Sequence, residues 1–206
     1  MVVRRLPMFP LQMVLLPGAL LPLHVFEERY RVLTRECLEG DSTFGVVLIE
    51  RGREVGGGDV RVDTGTTAVI DAASEFPDGR FALVCHGVDR FQVVEWLPDD
   101  PYPAAMVVTL ADDPVADPES LSRAATSVQR AWALLSELGA DSALDPAGDP
   151  PDNAWAWCAL APVTAVDQLR LLRTDDPDER LALVCELTDA VAADARALLG
   201  GGNSQA

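Results

Sequence analysis

The spacing of apolar residues changes near residue 110 of this chain. Before that point the sequence is rich in Val, Leu and Gly, in short runs bounded by Gly, Pro and Asp. From about residue 117 the apolar residues recur at helical spacing, and Ala, Leu and Asp are frequent. Short β-branched runs predict strands, whereas a period of 3.6 predicts helices. We therefore predict an α+β protein, with a mostly antiparallel sheet or barrel over residues 1–112 and a helical bundle over residues 117–199, followed by a flexible tail over residues 200–206.

The first region contains strand, turn and helix signals. Phe76-Pro77-Asp78-Gly79 is a strong turn signal, and residues 86–89 are a weaker one. One helix is predicted over residues 27–38, with Gly40 as its C-terminal stop. The predicted strands cover residues 5–9, 44–51, 60–73, 80–86, 91–97 and 104–110.

Capping residues divide the second region into helices. Asp117-Pro118 predicts the start of a helix that ends at Gly139, because Asp caps helices and Pro fits their first position. A Trp-rich helix is predicted over residues 153–160, after a flexible connector over residues 140–152. Thr164 with Asp167 resembles a capping box, and Asp176-Pro177 predicts the start of the last and longest helix.

The segment 13–23 is apolar but contains two prolines and a glycine. It therefore cannot form a regular helix or a central strand. One interpretation is a rigid loop that crosses the core. The other is that part of the segment stays exposed as an apolar docking surface, because large exposed apolar patches mark interaction sites.

Charge limits the partners of the chain. It has 16 basic residues, all of them Arg, against 33 acidic residues, which gives a net charge of −17. Nucleic acid and anionic membranes should repel such a protein. The absence of Lys excludes a P-loop lysine, a Schiff-base lysine and a Ser-Lys dyad. The four prolines between residues 7 and 22 argue against a signal peptide, so we expect a cytoplasmic protein.

The sequence offers few groups for catalysis or metal binding. Gly56-Gly57-Gly58 fits no nucleotide-binding pattern and is interpreted as a surface loop. The four cysteines have no close pair, and we expect buried free thiols and neither a metal nor a cofactor. His24 and His86 are the only histidines. An alternative function is therefore a small-molecule or enzymatic site in a cleft between barrel and bundle, with one of these histidines as the working group.

The stretch FPLQMVLLPGALLPLHVFEERYRVL closely resembles the opening of the Lon protease N-terminal domain. That family begins with P-L-F-P-L, continues with V-x-x-P-G and then has L-P-L-x-I-F-E-x-R-Y. Residues 7–11, 14–18 and 21–30 match these motifs in order, and further matches lie at 44–47, 65–70, 78–80 and 87–91. The resemblance covers residues 5 to about 110 well, and residues 117–199 resemble the family's second subdomain in layout.

The resemblance implies a PUA-like β-barrel followed by a helical bundle, without the ATPase and peptidase modules. It also implies recognition of unfolded or apolar polypeptide segments without catalysis, with a separate protease and a homo-oligomer as further candidate partners. PUA-like barrels often serve RNA, a third hypothesis that the net charge disfavours. Large apolar residues at predicted loops or strand ends are the candidate polypeptide-binding residues: Met13, Leu15, Leu20, Phe76, Trp96 and Tyr102. Residues that match the family motif are expected to build the fold: Pro17, Gly18, Phe26, Glu27, Arg29 and Tyr30.

Overall fold

The computed structural model describes residues 2–51, 60–112, 116–141 and 151–202. The chain divides into two compact units, Met1–Asp112 and Asp113–Ala206. The described part of the first unit consists of β1 (Val3–Leu11), β2 (Leu20–Val25), α1 (Glu28–Glu39), β3 (Thr43–Arg51), β4 (Val60–Glu75), β5 (Phe81–Trp96) and β6 (Ala104–Thr109). The described part of the second unit consists of α2 (Pro118–Glu137), α3 (Ala154–Leu160), α4 (Ala165–Arg173) and α5 (Pro177–Gly202).

The strands of the first unit form one mixed sheet. Their hydrogen-bonded order is β2-β5-β4-β3-β1-β6, and β5 also pairs with β6. The pairing of β1 with β3 is parallel, and the other pairings are antiparallel. Successive pairings therefore lead from β5 through β4, β3, β1 and β6 back to β5. The predicted α+β class is confirmed, while the finer description as a PUA-like barrel stays a prediction.

The core of the first unit lies between the sheet and α1. The ring of Phe9 on β1 stacks on the ring of Tyr30 on α1, with 4.1 Å between their centroids. The ring of Phe44 on β3 is tilted against that of Phe9, with 5.9 Å between their centroids. The other members of this buried cluster are Leu11, Leu15, Leu21, Val25, Leu33, Cys37, Val46, Ala68, Ile70, Phe81, Leu83, Cys85 and Tyr102.

The second half of the proline-containing segment is a strand and not a loop. Strand β2 pairs with β5, with Leu20 opposite His86 and Val25 opposite Phe81. Pro22 is tolerated because β2 ends the strand order, where a missing N–H breaks no ladder on the outer side. The rigid-loop interpretation is therefore wrong for residues 20–23. The rigid-loop interpretation fits the first half of the segment, in which Val14, Leu15, Leu16 and Pro17 are buried.

The two predicted turns have different outcomes. At the strong signal, the Gly79 N–H donates to the Phe76 carbonyl at 2.8 Å, and Gly79 has a φ of +79°. The weaker signal at residues 86–89 is wrong, because β5 continues through it. Gly87 is needed there for close approach and not for a turn, since a Cβ on it would lie 2.5 Å from the Leu16 carbonyl oxygen.

Three helices of the second unit start at a residue whose side chain caps the helix, whereas Asp117 precedes α2 without a side-chain capping hydrogen bond. The Asn153 side chain accepts a hydrogen bond from the Ala156 N–H at 2.9 Å, and the Thr164 hydroxyl accepts one from the Asp167 N–H at 3.2 Å. An Asp176 carboxylate oxygen accepts from the N–H groups of residues 178 and 179. Helix α5 reaches Gly202, so the tail predicted from residue 200 starts too early. Most of the predicted connector, residues 142–150, and residues 203–206 lie outside the described part.

An arginine is fully buried at the start of α5. The Arg180 guanidinium donates to the carbonyl oxygens of Thr174 and Asp175 at 2.9 and 3.1 Å. It lies over the ring of Trp155 on α3, 3.5 Å from the centroid. Arg180 therefore joins α3, α5 and the turn between α4 and α5. Among the helices of the described residues, none combines the length and the apolar character that crossing a membrane requires.

Candidate functional site

An exposed apolar surface lies along β2. Leu20 is 71% exposed, and Pro22 and His24, which share its side of the strand, are also exposed. Val84 on β5 pairs with Pro22 and is exposed too. Phe26, which directly follows the strand, is 56% exposed. We call these five residues the β2 surface. Contiguous exposed apolar residues of this kind mark interaction sites in soluble proteins.

A groove adjoins the β2 surface. Its volume is about 200 Å³. Most of its lining is apolar, and its polar side chains are His24 and Glu27. The lining comes from β1, β2 and the start of α1: Phe9, Leu11, Pro22, Leu23, His24, Val25, Phe26, Glu27 and Tyr30. The groove therefore offers apolar walls with one carboxylate and one imidazole, a composition suited to a side chain or a small organic group.

Three of the six predicted polypeptide-binding residues are exposed. Leu20 belongs to the β2 surface, and Met13 lies in the loop before β2. Phe76 lies at the start of the β4–β5 turn, where the Arg80 guanidinium is 5.8 Å from its ring centroid. Arg31 on α1 holds this turn by donating to the Gly79 carbonyl at 2.6 Å. The binding role of these three residues stays a prediction.

Two of the six residues are buried, so the expectation that they form an exposed surface is wrong. Leu15 is 2% exposed, and its carbonyl accepts a hydrogen bond from the buried Thr66 hydroxyl at 2.6 Å. Tyr102 is 2% exposed, and its hydroxyl donates to the Glu36 carboxylate on α1. Both residues belong to the buried cluster of the first unit.

Trp96 takes an intermediate position. It is half-buried, and the Arg61 guanidinium lies 5.0 Å from the centroid of its ring. Arg61 itself binds the Asp99 carboxylate through two hydrogen bonds of 3.0 and 2.6 Å. One face of the indole is therefore already occupied, and its role in polypeptide binding stays a prediction.

Among the motif residues, Pro17 and Tyr30 are buried. Gly18 has a φ of +78°, a conformation that favours glycine. Phe26 departs from the expectation that it builds the fold, since it is exposed and lines the groove. If β2 had been predicted as a strand, the period of two from Leu20 through Pro22 and His24 would have placed Phe26 on its outer side.

The remaining motif residues, Glu27 and Arg29, form an ion pair with each other. The Arg29 Nε lies 3.3 Å from a Glu27 carboxylate oxygen, and the guanidinium lies 4.5 Å from the centroid of the Tyr30 ring. Glu27 also precedes the first residue of α1. This pair therefore connects the groove to the start of the helix.

The two histidines occupy different places. His24 is exposed and lines the groove. The His86 Nδ1 lies 2.8 Å from both carboxylate oxygens of Asp71 on the neighbouring strand. Among the described residues, no group of three or more His, Cys, Asp or Glu side chains could hold a metal ion. The alternative of a small-molecule or enzymatic site in a cleft between the two subdomains stays a prediction.

The cysteines are free thiols, and Cys37, Cys85 and Cys158 are buried as expected. Cys185 is only partly buried. Burial, followed by the nearby carboxylates of Asp41 and Glu36, raises the pKa of the Cys37 thiol to about 12. Burial also raises the pKa of Cys85 to about 12, and Asp71 adds to the shift. Both thiols therefore stay protonated in the folded protein at pH values where an exposed thiol ionises.

The pKa values of Cys37 and Cys85 are higher in the folded state than in the unfolded state. This difference predicts that the free energy of unfolding decreases as the pH rises from about 9 towards 12. The unfolded state loses the protons of Cys37 and Cys85 near pH 9.0, whereas the folded state keeps them up to about 12. Each thiol should then lower stability by about 1.4 kcal/mol per pH unit in that range. Urea unfolding at pH 8 and pH 10.5 measures the change. The double variant Cys37→Ala/Cys85→Ala should show a flatter dependence, and an equal slope would contradict the prediction.

The first unit thus combines a mixed sheet with an exposed apolar strand and an adjoining groove. The family model of the ATP-dependent protease La (LON) substrate-binding domain matches residues 5–190. The chain belongs to this family, as the motifs at its start suggested.

Curated relatives and solved structures agree with this assignment. The chain is 26% identical over 190 residues to a Lon protease of Anaeromyxobacter dehalogenans and 27% identical over 197 residues to one of Cytophaga hutchinsonii. These matches cover 88% and 89% of this chain but only 22% and 24% of the relatives. The chain therefore spans about a quarter of the length of the proteases it matches.

Two solved structures share the fold. A Lon N-terminal domain protein from Xanthomonas campestris is 33% identical, with a TM-score of 0.64 over 87% of this chain and 95% of that chain. The N-terminal domain of a Mycobacterium avium complex Lon protease has a TM-score of 0.62 over 90% of this chain and 98% of that chain. Its identity of 20% supports the likeness of fold alone.

Proposed function

We propose that this chain is a non-catalytic substrate-binding domain that recognises exposed apolar or unfolded segments of polypeptides. The observation that carries the proposal is the β2 surface beside an apolar groove. Burial of a large apolar side chain contributes roughly 1.5–3 kcal/mol, so a few such contacts give useful affinity for an unfolded client. A native protein offers few such side chains, which gives the domain a basis for discrimination.

The test compares an unfolded client with its native form. A small disulfide protein is reduced, carbamidomethylated and fluorescently labelled, and its binding is measured by anisotropy beside the native protein. We expect preference for the unfolded form and a loss of at least tenfold in affinity in the double variant Leu20→Asp/Phe26→Asp. Both side chains are exposed, so folding should be retained, and circular dichroism checks this.

Val94→Asp is the matched control. Val94 is an apolar residue of the same sheet, 59% exposed, and it does not line the groove. Its substitution should change affinity by less than twofold. Equal loss in the control would indicate an effect of charge alone, and absence of binding to either form of the client would contradict the proposal.

The chain would then act either as an adaptor that presents clients to a separate protease or as a weak holdase. The test of the adaptor role is the degradation rate of the unfolded client by an ATP-dependent protease with and without this domain. An increase that Leu20→Asp/Phe26→Asp abolishes would support the adaptor role, while protection of the client would favour the holdase. A cytoplasmic location, a homo-oligomer and the lack of nucleic-acid or membrane binding stay predictions.

A further inference from the structure

The backbone of β2 presents an interrupted edge to the groove. The Gly87 N–H donates to the Ala19 carbonyl at 2.9 Å, so the backbone groups of Ala19 point towards β5. Backbone groups alternate along a strand, so those of Leu21 and Leu23 point towards β5 and those of Pro22 point to the outer edge. Pro22 has no N–H. No donor therefore lies on that edge between Leu20 and His24.

The end of β1 also carries a proline, but Pro10 is buried and does not line the groove. The Met8 N–H donates to the Pro103 carbonyl at 2.8 Å, so this side of β1 faces β6. The register of β1 with β6 ends at Pro7, while β3 pairs with Met8–Leu11 on the other side. Pro10 lies two residues after Met8 and therefore presents its nitrogen, without a hydrogen, to the same side as Met8. Among the described residues, no strand pairs with that side of β1 beyond Met8.

Of the two strands that line the groove, β2 thus has a proline that is exposed at its outer edge and also lines the groove. A polypeptide that adds to a sheet as a new strand needs alternating donors and acceptors along the edge. Proline removes the donor, which is why it occurs at edges that do not accept a further strand. The carbonyl group of an added strand that faces Pro22 would have no partner.

The size of the groove indicates what it accepts instead. An apolar cavity of about 150 Å³ in another protein holds one benzene molecule. The groove of about 200 Å³ therefore has room for a single aromatic or large aliphatic side chain. Its walls include two aromatic rings, Phe9 and Tyr30, which favour such an occupant.

Charge complementarity indicates the residues beside that side chain. The two arginines closest in sequence to the groove are paired, Arg29 with Glu27 and Arg31 with Glu28 at 2.7 Å. The chain as a whole has 17 negative charges in excess. Its field therefore attracts basic residues of a client and repels acidic ones.

We infer that the groove between β1 and β2 binds a polypeptide client through one large apolar side chain flanked by basic residues, and not by strand addition. This inference rests on the proposed function. It assigns Pro22 a part in selecting the mode of binding, because its missing N–H leaves the side chain of the client as the main point of attachment.

Labelled peptides of twelve residues test the inference with the whole chain. The parent peptide has one Trp between arginines. Its variants replace Trp by Ala, replace the arginines by Glu, or carry N-methyl groups on the two amides next to Trp. We expect the Ala and Glu variants to bind at least tenfold more weakly at low salt and the N-methylated peptide to bind within twofold of the parent. Phe26→Asp should weaken the parent peptide tenfold, and Val94→Asp should leave it unchanged.

Each contrary result would overturn one part of the inference. A tenfold loss on N-methylation would indicate strand addition, and equal binding of the Glu variant would remove the charge preference. Unchanged binding by folded Phe26→Asp would place the peptide outside the groove. If the unfolded client binds but the peptides give these contrary results, the inference fails and the proposed function stands. If neither the unfolded client nor any peptide binds, the proposed function itself fails.

Discussion

Replacing Gly65 by Ala should destabilise the first unit by about 3 kcal/mol or more, or prevent its folding. Gly65 lies on β4 between Val47 of β3 and Phe91 of β5. A Cβ there would lie 2.3 Å from the Val46 carbonyl oxygen, 2.6 Å from the Phe91 ring and 2.7 Å from a Val47 methyl group. These atoms belong to both neighbouring strands, and one is backbone. No single side-chain movement can therefore make room.

Urea unfolding followed by circular dichroism measures the effect. Gly200→Ala is the matched control, because Gly200 lies in α5 and a Cβ on it would meet nothing within 4 Å. That substitution should be neutral or slightly stabilising, since Ala favours helix more than Gly does. A loss below 1 kcal/mol in Gly65→Ala would contradict the close approach of the three strands.

Arg180→Ala should destabilise the second unit by roughly 3 kcal/mol. The substitution leaves the carbonyl groups of Thr174 and Asp175 without these hydrogen bonds and removes the guanidinium from Trp155. It also leaves a cavity, because Arg180 is fully buried. Arg180→Lys should recover only part of the loss, because an ammonium group lacks the planar fork that contacts the ring and both carbonyls.

The matched control for this experiment is Arg196→Ala. Arg196 lies on the same helix but is exposed, so its loss should change stability by less than about 0.5 kcal/mol. Tryptophan fluorescence during urea unfolding reports mainly on the second unit, since three of the four tryptophans lie there and Trp96 lies in the first unit. Similar losses in the two variants would show that burial and the hydrogen bonds of Arg180 contribute little.

The helical unit was the more predictable part of the fold because its boundaries are local. Asn153, Thr164 and Asp176 satisfy N–H groups within three residues of themselves. Such caps need no tertiary contact, so sequence spacing alone identifies them. The end of α5 was less predictable, because glycines at the end of a helix neither require nor prevent another turn.

The sheet was less predictable because its strands depend on distant partners. In the sequence Gly87 favours a turn, yet in the structure it allows β5 to pass the Leu16 carbonyl, a contact between segments about 70 residues apart. Pro22 argues against a central strand, and only the position of β2 at the end of the order makes it acceptable. Neither fact is encoded in the local sequence.

The candidate site also depends on distant partners that the local sequence does not show. Leu15 and Leu20 are both apolar residues of one segment, yet the first is buried and the second is exposed. The difference depends on Thr66, which binds the Leu15 carbonyl from β4, and on the pairing of Leu20 with β5. Phe26 could be assigned to the surface only after β2 was known. Motif matching identifies the family without distinguishing core residues from contact residues.

The pairing of β1 with β6 has a consequence for synthesis on the ribosome. Val3 lies opposite Val108, so the first strand of the unit meets β6 only after more than a hundred residues have been made. At about 5–20 residues per second, β1 waits for several seconds without that neighbour. Long-range pairing of this kind also slows folding. A nascent chain halted before residue 104 should therefore be protease-sensitive, and β1 should become protected only when β6 has emerged from the exit tunnel.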